Sequence, residues 1–303
     1  MDGSTAEPCD PQREYAMTMA TVTFDSDGLK LAGDLYQPDT TDGPVPAVAM
    51  APGFGGVKEM LMPPYAAALN QAGIAVLVFD YANFGGSEGE PRQHMDLEAQ
   101  QRAYRHALDY LAARDDIDAD RLGLFGTSMS GGHALGLAST DPRVHSTVVL
   151  IPFTGLDVSV FPAELVAMVE DAAKKLAKRE EPQMIASVGH PGDFAVMTSD
   201  GAWDWAQRMT ADAPSYRNEV TLASLWNLAN YRPAEHLSAI ATPVHAVLAA
   251  DDAITPAAAA RQALSTVAHL DVVEFPQTHF ELFDSHLRET IDLTTRWFTT
   301  DLQ

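Results

Sequence analysis

The sequence predicts an α/β protein: a mostly parallel central sheet with helices on both faces and an inserted helical segment. Three observations carry that prediction. Short, wholly apolar runs such as "VPAVAMAP" and "IAVLVFDY" alternate with helix-length stretches, as strands buried on both faces do. The alternation stops over residues 153–238 and then resumes. The stretch "FGTSMSGGHAL" sets two serines among glycines directly after one of the apolar runs.

In chain order, residues 1–17 are polar and read as a flexible tail. "TMATVTFDSDGLKLAGDLYQP" alternates apolar and polar residues on either side of Asp27-Gly28, which predicts a hairpin. A buried strand follows at 45–52, then a helical stretch that ends at Gly73, and a second buried strand at 74–81. A glycine-rich loop leads to a helix over about 95–114. "RLGLFG" (121–126) is the next strand, with a helix from about Ser130 and a strand at 145–152. Residues 153–238 show helical stretches such as "FPAELVAMVEDAAKKLAKR" and no comparable strand. The core resumes with a strand at 244–252, a helix at "PAAAARQALSTV", a strand at 270–275 and a final helix over about 281–300. This divides the chain into a core of 18–152 and 239–303 and a helical lid of 153–238. The lid is expected over the carboxyl edge of the sheet, where open α/β sheets bind ligands.

Composition narrows the partners. At 46% hydrophobic and 20% charged, 303 residues can bury a sizeable core. With 42 acidic against 19 basic residues the net charge is −23, which repels nucleic acid and anionic membranes, so neither is expected as a partner. No apolar stretch is long enough to span a bilayer, and the first 17 residues hold four acids and no apolar signal core, so a cytoplasmic location is expected. The single cysteine, Cys9, excludes a disulfide framework. No His or Cys pair has metal-ligand spacing, and neither a metal nor another cofactor is expected. The sequence leaves room for a homo-oligomer.

The glycine turns admit three readings. Gly126 to Gly131 spans G-x-x-x-x-G, but Gly132 and His133 stand where a phosphate-binding loop needs Lys and Ser or Thr. G-x-G-x-x-G placed on Gly53 and Gly55 puts Lys58 at the third glycine, where a dinucleotide fold needs almost no side chain. The third reading, a serine on a sharp strand-to-helix turn, fits. With Ser128 as nucleophile, Gly126 lies two residues before it and Ser130 and Gly131 just after, so every crowded position is small. Such a serine works with an acid and then a histidine after later strands. "VLAADDAITP" supplies Asp251 and Asp252, and "VVEFPQTHFEL" supplies His279.

On these residues the chain resembles the α/β-hydrolases over about residues 20–300, above all a lidded, dienelactone-hydrolase-like branch. That branch includes esterases and enzymes that transfer or release polyketide acyl chains. The matching stretches are "PGFGG" (52–56), "GTSMSGGH" (126–133), D-x-x-x-P (252–256) and "THFEL" (278–282). The resemblance places the acid four residues before the proline, at Asp252. Two departures stand out: Ser130 in place of glycine, and Ala82-Asn83 where the family often has Arg-Gly.

The expected chemistry is cleavage of a small carboxylic ester or thioester through an acyl-enzyme. Ser128 attacks, His279 takes its proton, and Asp252 orients the imidazole. The backbone N–H groups of Met129 and Phe54 form the oxyanion hole. Passing the acyl group to a non-water acceptor is the alternative, and a non-catalytic binding protein on the same fold a more distant one. His133 is expected to be a packed residue. Met168, Met184, Met197, Trp203, Trp205 and Trp226 either line an acyl pocket or form the lid's own core. Gly53, Gly55, Trp203 and Trp226 are taken as substrate-binding.

Overall fold

The computed structural model describes residues 19–39 and 43–303. The expected tail, 1–17, and Cys9 lie outside the described residues. Strands β1 (Met19–Ser26) and β2 (Leu29–Tyr36) form the anticipated hairpin, with Asp27 and Gly28 both at positive φ. Then come β3 (Val45–Ala51), α1 (Met62–Gln71), β4 (Ala75–Phe79), α2 (Leu97–Ala112), β5 (Ile117–Thr127), α3 (Met129–Ala138) and β6 (Val144–Leu150). Helix α2 begins where the Asp96 side chain accepts the Ala99 N–H at 2.9 Å, a conventional N-cap.

The insertion follows, with α4 (Ala163–Ala177), β7 (Met184–Val188), β8 (Ala195–Met197), α5 (Ala202–Thr210), β9 (Val220–Thr221) and α6 (Ser224–Asn230). The core closes with β10 (Val244–Ala249), α7 (Ala257–Leu264), β11 (Leu270–Phe275), α8 (Glu281–Ser285) and α9 (Leu287–Leu302).

The main sheet runs β1-β2-β4-β3-β5-β6-β10-β11. From β4 to β11 every pairing is parallel, while β2 pairs antiparallel with both β1 and β4. Strands β3 and β4, the second half of β5 from Leu122 to Thr127, and β6 apart from His145 are buried, which explains their largely apolar composition. One face packs on α2, α3 and α7 through residues such as Tyr104, Leu108, Leu135 and Leu264. The other packs on α1 and α9 through Tyr65, Leu69, Trp297 and Phe298. Strand order reverses at β3, so the chain leaves β3 and β5 toward opposite sides and opens a crevice at their carboxyl ends.

Two expectations need adjusting. The insertion is not purely helical: β8-β7-β9 form a small three-stranded sheet. Those strands hold two to five residues each, too few for a period-two pattern to register. The final helix is also interrupted, at His286, whose φ of −126° leaves the helical region. The buried residues of α8, Leu282 and Phe283, and those of α9, such as Trp297 and Phe298, share one apolar pattern in sequence, which hides the break. No helix among the described residues is long and apolar enough to cross a membrane.

Candidate active site

Ser128 joins β5 to α3 with φ 52° and ψ −116°, a backbone that L-residues rarely adopt and that costs on the order of 1–3 kcal/mol. The turn is held on both sides: Ser128 N–H donates to Leu150 O at 2.9 Å, and Ser128 O accepts from Phe153 N–H at 2.8 Å. Gly126 is obligatory here, because a Cβ on it would lie 2.3 Å from Ser130 O. The strain lifts Ser128 to the sheet edge, where it lines a cavity of about 50 Å³.

Ser130 is spent on the turn. Its Oγ is fully buried, donates to Thr127 O at 2.9 Å and accepts from Thr127 N–H at 2.8 Å. That back-folded hydroxyl explains how a serine replaces the expected glycine. His133 is likewise structural in its contacts. It is wholly buried between the Tyr231 hydroxyl (2.7 Å) and Gln100 Oε1 (3.2 Å), and burial pulls its pKa down to about 3, so it stays neutral.

His279 follows β11 and Asp252 follows β10, and the fold brings them together. Asp252 Oδ2 lies 2.7 Å from His279 Nδ1, with both residues buried. The other carboxylate oxygen accepts the N–H groups of Ile254 (2.7 Å) and Thr255 (2.8 Å). Thr255 Oγ1 sits 2.9 Å from Asp252 Oδ2 and 3.0 Å from Ile151 O, tying the acid to the end of β6. Burial alone would push the Asp252 carboxyl up, but the His279 ring and the Thr255 donors together hold it below the usual carboxylate range. The neighbouring Asp251 is exposed and bonds through its backbone N–H alone.

His279 lines the same cavity as Ser128, with its Nδ1 committed to Asp252 and its Nε2 free. Among the described residues neither Ser128 Oγ nor His279 Nε2 has a hydrogen-bond partner, and neither is sealed from solvent. The loop after β3 forms the opposite wall through Gly53 and Phe54. It approaches closely: a Cβ on Gly53 would lie 3.3 Å from Thr127 O and 3.6 Å from Ser128 Cβ. Among the described residues the backbone N–H groups of Phe54 and Met129 find no acceptor.

The insertion contributes Val188, Met197, Trp205 and Tyr216 to the lining, and the core adds Met60, Leu61, Met62, Phe280 and Phe283. Trp203 and Trp226 do not line this cavity. On α5, residues two apart point about 200° away from each other, so Trp205 packs at a tilt against Phe280 (4.9 Å between ring centres) while Trp203 turns to His190 (4.7 Å). Trp226, on α6, packs against the main core. Met168 and Met184 are exposed. Gly55 shapes its loop at positive φ against Ser187 of β7, rather than facing the cavity. Tyr216 and Val188 carried no signal in sequence, since each is reached through insertion folds without a motif. Thr255 lies inside D-x-x-x-P and could have been read as the acid's clasp.

A model of a family described as "Alpha/beta hydrolase family" matches residues 48–293. The quorum-quenching protein AidA of Acinetobacter baumannii is 29% identical over 286 residues, 91% of this chain and 94% of that one. The thiohydrolase aneE of Aspergillus aculeatus is 30% identical over 243 residues, covering 76% of each. Among solved structures, that of DcsB in complex with its substrate analogue superposes with a TM-score of 0.84 at 23% identity, covering 94% of this chain and 99% of that one.

Proposed function

The chain belongs to the alpha/beta hydrolase family, and on that footing we propose that it is a serine hydrolase cleaving a carboxylic ester or thioester through an acyl-enzyme on Ser128. One observation supports this above the others: a serine on a strained turn shares its cavity with a histidine whose far nitrogen is held by a buried carboxylate. The relative named a thiohydrolase makes thioesters part of the reading.

Ser128 Oγ attacks the carbonyl carbon as His279 Nε2 takes its proton. Asp252 fixes the tautomer with the proton on Nδ1 and stabilises the imidazolium. The charge that develops on the carbonyl oxygen is met by the N–H groups of Met129 and Phe54. Each such donor contributes on the order of 10²–10³ in turnover. Collapse expels the alcohol or thiol, protonated by His279, and water then attacks the acyl-enzyme by the same route. A serine nucleophile sets this site apart from epoxide hydrolases and dehalogenases on this fold, which commonly use a carboxylate.

The cavity, about 50 Å³, is far smaller than the roughly 300–1,000 Å³ of ordinary small-molecule pockets. An acyl chain needs more room, and the wall that can yield is the insertion, which acts here as the lid. A panel of p-nitrophenyl esters and N-acetylcysteamine thioesters of increasing acyl length tests the reading. The wild type should turn both classes over to the free acid, even with added alcohol in excess. Accumulation of the acceptor's ester would instead favour acyl transfer. Trp205→Ala, which removes the largest side chain of the lid wall, should move the preferred acyl length up by about two carbons or more. An unchanged optimum would remove Trp205 from the acyl site.

A further inference from the structure

Asp80, directly after β4, carries a carboxylate with no solvent exposure and, among the described residues, no cation bonded to it. Its two oxygens accept backbone N–H groups from two separate loops: Lys58 at 2.7 Å on Oδ1, and Gly86 at 3.0 Å on Oδ2. The cradle is close-fitting. Gly85 sits at φ +49°, and a Cβ there would lie 2.2 Å from Asp80 Oδ2. Lys58 ends the segment that begins at Gly53, and the Gly56 N–H to Gly53 O bond (3.2 Å) makes that segment a tight turn. Asp80 thus anchors one end of the loop whose other end abuts Ser128.

We propose that Asp80 is a positioning residue for the oxyanion hole: its carboxylate pins residues 53–58 to the β4 edge, so that the Phe54 N–H is aimed at the carbonyl oxygen beside Ser128. The catalytic half of this rests on the function proposed above; the pinning itself does not.

The charges around Asp80 are few. The Lys58 ammonium is engaged by Asp34 at 2.5 Å, and Glu59 accepts the Ser215 hydroxyl at 2.6 Å. Arg92 spans the neighbouring loop by donating to Gly85 O (2.8 Å) and Ser87 O (2.5 Å). Burial pushes the Asp80 carboxyl up to about 6, against the lowering effect of its two N–H donors and Lys58, with Glu59 adding to the rise. A carboxyl raised on folding contributes stability that is fully present below its unfolded value of about 3.9 and is lost as pH rises through about 6. At neutral pH the fold therefore holds this carboxylate ionised at a cost. When it takes a proton, it loses the charge that both N–H groups bind, and both bonds weaken.

Hydrogen exchange on the full chain reads the loop without using turnover. After correction for intrinsic pH dependence, the Lys58 and Gly86 amides should lose protection together, by roughly tenfold, between about pH 7 and pH 5. Asp80→Asn should show the low-protection level at both pH values. The same variant should lower kcat by about 10- to 100-fold with KM within about threefold, the signature of a misaimed donor.

Ser87→Ala is the comparison. It removes the hydroxyl that donates to Asp80 O (2.7 Å) and accepts from Ala32 N–H (2.8 Å) but spares the carboxylate. It should lower Tm and keep kcat within about twofold. Flat exchange at Lys58 across this pH range overturns the proposal, and so does a folded Asp80→Asn enzyme with wild-type kcat. If Asp80→Asn does not fold, the wild-type exchange profile decides. A failure of the nucleophile assignment shows separately, as retained turnover in Ser128→Ala, and leaves the exchange result standing.

Discussion

Ser128→Ala should lower kcat/KM for a short p-nitrophenyl ester by at least about 10⁴-fold, because the residual rate then comes from the oxyanion donors and binding alone. Ser130→Ala is the informative contrast. Its hydroxyl is engaged by both the N–H and the carbonyl of Thr127 and is fully buried. Its removal should cost roughly 1–2 kcal/mol of stability and leave turnover within about tenfold of wild type. Thermal unfolding and steady-state kinetics on the two variants separate the effects. Reversed outcomes, with Ser128→Ala active and Ser130→Ala dead but folded, would assign the nucleophile to the wrong serine.

Asp252→Asn should lower kcat by about 10⁴-fold with little change in fold. The reason is local. The N–H groups of Ile254 and Thr255 both point at Oδ1 and will keep the amide oxygen there. That forces the amide NH₂ toward His279 Nδ1, which must then accept a proton rather than donate one. The tautomer so selected carries its proton on Nε2 and cannot act as base toward Ser128. Asp251→Asn, on an exposed side chain, should stay within about twofold of wild type. The held-down Asp252 carboxyl also fixes a sign. Its stabilisation is present above the ordinary carboxylate range and is lost as pH falls through the depressed native value. Any loss of activity near neutral pH must therefore come from another group. A large effect of Asp251→Asn with an active Asp252→Asn would exchange their roles.

The core was readable because its signals are local and strong. Strands such as Val45–Ala51 are buried along their whole length and so are apolar throughout. The crowding around Gly126 admits no side chain, which leaves a visible gap of small residues. Ser128, Asp252 and His279 each follow a strand of the sheet, so their order along the chain foretold their meeting at one edge. Between Asp251 and Asp252, residue type and position left the choice open, since both stand at the end of the same strand. The D-x-x-x-P resemblance pointed to Asp252, and the loop geometry turns that side chain toward His279.

The insertion was harder to read. Its strands are short, and which tryptophan faces the cavity depends on the rotation of a nine-residue helix set by tertiary packing. Trp203 and Trp205 are equally apolar and two residues apart, so composition does not distinguish them. Asp80, at the end of a buried strand, stands where a dinucleotide fold keeps its ribose ligand. Its partners are instead backbone N–H groups, which no side-chain motif reports.

The most direct measurement is reaction of the full-length protein with a fluorophosphonate, followed by mass spectrometry of the intact chain and its peptides. One adduct per chain, located on Ser128, abolished in Ser128→Ala and slowed by at least about 10³-fold in His279→Ala, is the predicted result. A folded protein that takes no adduct, or takes it on Ser130 or any other residue, would contradict an acyl-enzyme at Ser128.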